Sequence, residues 1–302
     1  MRATFQKSSS VHEKNDGIVL EFKGGLGNQM FQYVFYTKLK YEGKKVRCAL
    51  IRDSREGVPF ELDIFPNIQY DEEQYDDFKM RLQRSVNRSL FRKVYNKIFP
   101  LTADFVFEDE RKDYDDKLFK CDNCVICGYF QSLRYFENIE EQIKKTFVFP
   151  EGEEKLSDLA NRLKSEQYVS VHIRRGDYLK YPKLYGGICE KQYYDAAIDY
   201  FRSKNIDRFI FFSDDMDWVK SNFSIEESIF FDSSDFEDYH DWYDMYLMCL
   251  CSHNIIANST FSWWGAWLND NKDKIVVAPQ KWINTIRNKD FCPNEWVRLG
   301  NK

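Results

Sequence analysis

Nothing in this 302-residue chain approaches the roughly 18 consecutive apolar residues that a membrane-spanning helix needs. Residues 1–16 also lack the apolar core of a secretory signal, and with the run Ser8-Ser9-Ser10 they read as a loose extension ahead of the first strand. The chain is therefore expected to be cytoplasmic, with peripheral membrane association left open. Positive charge is not in excess either. The 44 Lys and Arg against 49 Asp and Glu leave a net charge of −5, which argues against nucleic acid as a partner. A local basic pocket for an anionic small molecule is compatible with that balance, because net charge governs long-range association and not a single site.

Two further absences narrow the chemistry. Cys121, Cys124 and Cys127 form a C-x2-C-x2-C run, yet no histidine or fourth cysteine lies nearby to complete a four-ligand zinc site. These thiols are expected to be buried or to lie in a surface turn, with no metal assigned to them, and a disulfide framework does not suit a chain of this length without a secretory signal. In the corner Gly24-Gly25-Leu26-Gly27, a dinucleotide fingerprint would require a third glycine where Met30 stands, which disfavours a nicotinamide cofactor.

What is present is a chain with 43% hydrophobic and 17% aromatic residues, enough to fill two cores of ordinary size. The natural boundary is Phe149-Pro150-Glu151-Gly152, giving an extension over 1–16 and domains over 17–150 and 151–302. In the first, a buried strand over 17–22 runs through the glycine corner into a helix whose Phe31, Val34, Phe35 and Leu39 recur at helical spacing until Gly43. Residues 71–116 are highly charged, with helical character over 79–97 and a turn at Pro100; a strand over 125–130 and a short helix over 132–145 follow. In the second, after a helix over 155–165, strands over 168–174, 208–213, 228–231, 254–257 and 274–278 alternate with helices over 190–204, 216–223, 239–252 and 262–268. Strict alternation implies a doubly wound α/β domain with a parallel sheet and right-handed crossovers.

Ligands of such sheets sit beyond the carboxyl ends of the strands. Three of those ends are chemically loaded. At the first, Val169, Val171 and Ile173 share one face of a strand while Ser170, His172 and Arg174 share the other, and Arg175 points away before the turn Gly176-Asp177. The second is Ser213-Asp214-Asp215, and the third is Asn258-Ser259-Thr260-Phe261-Ser262. Guanidiniums together with hydroxyls and amides at a helix start make a diphosphate site. Each corner also has a plainer reading: an Arg–Asp pair at a strand end, or Asp214 and Ser259 or Thr260 as helix caps. Asp215-Met216-Asp217 is formally a D-x-D metal motif, but two arginines aimed at one diphosphate would make a cation redundant. Trp263, Trp264 and Trp267 read first as a core face of one helix and second as a sugar-stacking platform.

Five segments, taken in order, resemble the bacterial α-1,2-fucosyltransferases of glycosyltransferase family 11. They are Gly24-Gly25-Leu26-Gly27-Asn28-Gln29-Met30-Phe31-Gln32-Tyr33, Gly128-Tyr129-Phe130-Gln131-Ser132, His172-Ile173-Arg174-Arg175-Gly176-Asp177-Tyr178, Phe212-Ser213-Asp214-Asp215, and Asn258 through Leu268. The resemblance implies a GT-B-type fold, two Rossmann-like α/β domains with the donor site in the C-terminal one facing the interdomain cleft. It further implies GDP-fucose as donor, a β-galactoside-terminated oligosaccharide as acceptor, inversion at the fucosyl carbon, and no metal or other cofactor. By the same analogy Arg174 grips the β-phosphate, supported by Asp177. His172 lies near the guanine with Asp214 or Asp215, and Ser259, Thr260 and Ser262 hold phosphate oxygens. Gly25, Asn28 and Gln29 reach the donor from the N-terminal domain, and Arg175 and Ser213 complete the donor set. The base that takes the acceptor proton is not named by the sequence.

Overall fold

A computed structural model of the chain describes residues 17–52, 57–73, 104–109, 114–285 and 291–300. The extension over 1–16, the helix expected over 79–97 and the turn at Pro100 lie outside the described residues. Two parallel sheets organise the rest. The first comprises β1 (Ile18–Glu21), β2 (Val46–Ala49), β3 (Asp104–Phe107) and β4 (Cys124–Cys127), in the spatial order β2-β1-β4-β3. The second comprises β5 (Val169–Ile173), β6 (Phe209–Ser213), β7 (Ile229–Phe230), β8 (His253–Ile255), β9 (Val276–Pro279) and β10 (Val297–Leu299), in the order β10-β9-β8-β5-β6-β7. In each, the strand order reverses once, between β1 and β4 and between β5 and β8, and those are the places where a crevice opens at the carboxyl edge.

Sequence alternation explains why these strands form. Val169, Val171, Phe209 and Phe211 pack into one apolar cluster with Tyr194, Ala197 and Ile198, while Ile210 and Phe212, one position out of step, belong to a second cluster on the other face. A sheet covered on both faces tolerates such continuous apolar runs. The helices that cover it are α1 (Leu26–Tyr41) against the first sheet and, in the second half, α3 (Glu154–Ser165), α5 (Lys191–Arg202), α6 (Met216–Asn222), α7 (Trp242–Leu250) and α8 (Thr260–Trp267); α2 (Glu140–Thr146) precedes them, and the single-turn α4 (Pro182–Tyr185) buries no side chain.

The expected helix over 132–145 is broken. A 3-10 turn over Leu133–Phe136 and α2 are separated by Asn138 in the left-handed region, at φ 69°, which an α-helix cannot accommodate. The cysteine run is structural. Cys124 and Cys127 stand on opposite faces of β4, in different apolar clusters, as positions three apart on a strand must.

Residues on both sides of position 150 share one core. Phe31 of α1 lies 4.7 Å and 5.0 Å, centroid to centroid, from Trp263 and Trp264 of α8, and Phe136 and Phe147 close the cluster. Both tryptophans are fully buried. They pack α1 against α8 and present no face to a sugar. The consequence for the site is that the β1–α1 corner and the start of α8 are held in fixed relation.

Candidate active site

The carboxyl ends of β1, β3, β4, β5, β6 and β8 open onto one cleft of about 980 Å³. Two parallel α/β sheets facing a common cleft are the GT-B-type arrangement expected from the sequence. On the C-terminal wall, His172 and Arg174 line the cleft together, as alternation along β5 requires. The Arg174 guanidinium is held on two edges. Nε and Nη2 lie 3.0 Å and 2.8 Å from Asp177 Oδ1, and Nη1 lies 3.2 Å from Asp214 Oδ2. Of these contacts the Nε–H donation to Asp177 is a hydrogen bond and the other two are ion pairs, so terminal N–H groups remain for an anion in a direction the carboxylates fix. Asp214 is itself anchored, accepting the Arg175 backbone N–H at 2.8 Å. A Cβ on Gly176 would stand 2.7 Å from Asp214 Oδ2, so this turn needs glycine for the carboxylate to approach.

The α8 start forms the adjoining wall. Ser259 occupies the N-cap without a side-chain cap bond, and Ser259, Thr260 and Phe261 line the cleft. The unsatisfied amides of a helix start and its dipole favour an anion there. The Tyr178 hydroxyl donates to Asn258 O at 2.8 Å and ties the β5 loop to the β8 loop. From the N-terminal wall, Gly25 and Asn28 face the cleft, and Asn28 Oδ1 accepts from Gln131 Nε2 at 3.0 Å and Thr260 Oγ1 at 3.1 Å. Trp264 Nε1 donates to Gly27 O at 3.0 Å, and a Cβ on Gly27 would stand 2.7 Å from the Phe261 amide nitrogen.

His172 is a neutral group. Burial, reinforced by the Arg174 charge, pushes its imidazole down to about 3, and its Nδ1 is buried without a hydrogen-bond partner. Such a ring can bind but does not collect a proton at neutral pH. On the far side of the cleft the Tyr239 hydroxyl donates to Asp244 Oδ1 at 2.9 Å, and burial pushes the Asp244 carboxyl up to about 7.

Of the residues expected to hold the donor, Gly25, Asn28, His172, Arg174, Asp177, Ser213, Asp214, Ser259 and Thr260 line the cleft. Four others do not. Gln29 is buried and bonds backbone, with Nε2 donating to Gly24 O and Pro59 O at 2.7 Å and 2.8 Å. Arg175 lies 3.9 Å over the Trp218 ring, with Nε 2.9 Å from Asp215 Oδ2. Asp215 accepts the Trp218 N–H as the cap of α6, the role first considered for Asp214. Ser262 is fully buried and its hydroxyl donates to Ser259 O at 3.3 Å.

Residues 67–300 match the profile of Glycosyl transferase family 11. The chain belongs to that family. Among its relatives, the O-antigen biosynthesis glycosyltransferase WbnK of Escherichia coli is 34% identical, over 91% of this chain and 98% of that one. An E. coli alpha-1,2-colitosyltransferase is 31% identical, over 93% and 98%. Human galactoside alpha-(1,2)-fucosyltransferase 1 is 28% identical over 58% of this chain and 52% of its own. Among solved structures, E. coli ADP-heptose LPS heptosyltransferase II aligns with a TM-score of 0.47 at 10% identity, over 94% of this chain and 90% of that one. The protein is thus a family 11 glycosyltransferase, and no helix among its described residues is long and apolar enough to cross a membrane.

Sequence reasoning missed Glu61, Glu108, Tyr239 and Asp244, all of which line the cleft. Glu108 carries the signal used elsewhere, since it directly follows β3. Asp244 sits inside α7, and no sequence pattern marks it.

Proposed function

We propose that this glycosyltransferase moves L-fucose from GDP-fucose to O2 of a terminal β-galactoside, forming an α-1,2 linkage with inversion and without a metal ion. The observation that carries the reading is the Arg174 guanidinium, fixed by Asp177 and Asp214 at the mouth of β5 with terminal N–H groups to spare. As the fucosyl–oxygen bond breaks, negative charge grows on the departing GDP. A preorganised cation facing that oxygen stabilises the transition state more than the ground state. The amides at the start of α8 add donors to the same anion. Support for fucose and for the α-1,2 linkage comes from family membership and from the names of the relatives.

One specific observation favours a second donor. The 31%-identical relative is named for colitose, which is fucose without its 3-hydroxyl. The deciding experiment is GDP release in EDTA from GDP-fucose and from GDP-colitose, with and without lactose, followed by linkage analysis of the product. Lactose-dependent release from GDP-fucose with an α-1,2 product is the expected result. Release from GDP-colitose alone would transfer the reading to that donor, and a need for Mg²⁺ or Mn²⁺ would overturn metal independence. GDP binding without release would mark a binding protein.

A further inference from the structure

Displacement at the fucosyl carbon requires a group that takes the acceptor proton, and six carboxylates face this cleft. Most of them have other partners. Asp177 and Asp214 hold Arg174. Glu108 Oε2 accepts the backbone N–H groups of Tyr129 and Phe130 at 2.7 Å and 2.9 Å, which tie that oxygen to the loop after β4. Asp244 accepts the Tyr239 hydroxyl, and Asp241 is exposed at the rim.

We infer that Glu61 is the general base of the transfer and that Gln29 is the residue that positions it. Glu61 stands on the N-terminal wall between Phe60 and Leu62, two buried side chains that pin its backbone on either side. Its own N–H donates to Gln29 Oε1 at 2.8 Å, while Gln29 Nε2 donates to Pro59 O at 2.8 Å. The amide of Gln29 therefore clamps both ends of the short segment that presents Glu61. This gives a reason for a buried glutamine in the glycine corner, which contact with the donor does not. The Glu61 carboxylate accepts the Leu26 N–H, in the same corner as Asn28. Burial raises its pKa above the ordinary carboxylate value, outweighing the lowering by the Leu26 N–H, with a smaller rise from Asp241 on the facing wall, toward the range a base needs.

This assignment rests on the transfer proposed above. In that step the acceptor O2 forms its bond to the fucosyl carbon, the hydroxyl proton passes to a Glu61 oxygen, and the electron pair of the breaking bond leaves with the β-phosphate of GDP. The proton then returns to solvent.

The test compares wild type, Glu61→Gln, Glu61→Asp and Gln29→Ala with GDP-fucose and lactose as substrates, with GDP binding as the check of folding. Glu61→Gln is expected to lower kcat by roughly 10²–10⁴ while leaving the lactose KM nearly unchanged. Its kcat should also lose the acid limb of the wild-type pH profile. Glu61→Asp keeps that limb at reduced kcat, and Gln29→Ala keeps it too but lowers kcat, as a positioning role requires. A Glu61→Gln enzyme with wild-type kcat and a raised KM would make Glu61 an acceptor contact and overturn the assignment. So would an acid limb that survives in Glu61→Gln and disappears in Glu108→Gln. Wild-type enzyme inactive on GDP-fucose and on GDP-colitose would instead overturn the transfer reading on which the assignment stands.

Discussion

The Thr260 hydroxyl donates to the side-chain oxygen of Asn28 at 3.1 Å, joining positions 232 apart in sequence across the cleft between the two sheets. Gln131 donates to the same oxygen, so one amide gathers the β1, β4 and β8 ends. Asn28→Ala strands two part-buried donors, at a cost of about 1–3 kcal/mol. A double-mutant cycle with Thr260→Val, read by denaturant unfolding, should give a coupling of at least about 0.5 kcal/mol. Strict additivity would mean that this bond does not hold the walls together.

Gly27 makes the same junction steric. A Cβ there would meet the Phe261 amide and Thr260 carbonyl carbon at 2.7 Å, both backbone, on a helix wedged by Trp264. Gly27→Ala must displace α8, an overpacking that costs about 1–3 kcal/mol. The expected outcome is a lower Tm together with weakened GDP binding, because the displaced helix start is part of the proposed anion site. Loss of Tm with unchanged GDP affinity would separate α8 from the donor.

Adjacent arginines are predicted to behave oppositely. Arg174→Ala should cut turnover by roughly 10²–10³, as loss of one preorganised anion donor does. Arg175 faces Trp218 and Asp215, away from the cleft. Arg175→Ala should therefore cost about 1 kcal/mol of stability and change GDP affinity by less than about threefold, or under about 1 kcal/mol. Steady-state kinetics and GDP titration on both variants check this, and equal losses of turnover would remove the distinction.

That contrast also shows what the sequence could carry. Period-2 alternation put His172 and Arg174 on one face and Arg175 on the other, and the structure keeps that division because β5 is buried on both sides. Strand ends followed by hydroxyls were equally legible. The failures have a common cause. Gln29 and Ser262 look like ligand residues by type, but whether a polar side chain meets a ligand or a backbone carbonyl depends on packing from distant segments such as Pro59. Glu61 was invisible for the converse reason: its place in the cleft is set by a clamp 32 positions away. The strand β10 escaped because three half-buried residues carry too little periodicity to read.

His172 makes a prediction about pH whose sign is fixed by its burial. Its pKa falls from the usual 6.5 to about 3 in the folded protein, first through burial and then through Arg174. Between those values the unfolded chain binds a proton that the folded chain refuses, so the contribution to stability is complete above pH 6.5 and is lost as pH falls toward 3. The slope approaches about 1.4 kcal/mol per pH unit, which amounts to about 2 kcal/mol between pH 6.5 and 5. His172→Gln retains a polar side chain but has nothing to titrate. Urea unfolding at pH 7 and pH 5 should therefore show an acid destabilisation smaller in the variant by about that amount, the other titrating groups being common to both proteins. Identical pH dependence in the two would mean that His172 takes up its proton as readily in the folded state as in the unfolded chain, and its burial as a neutral ring would fail with it.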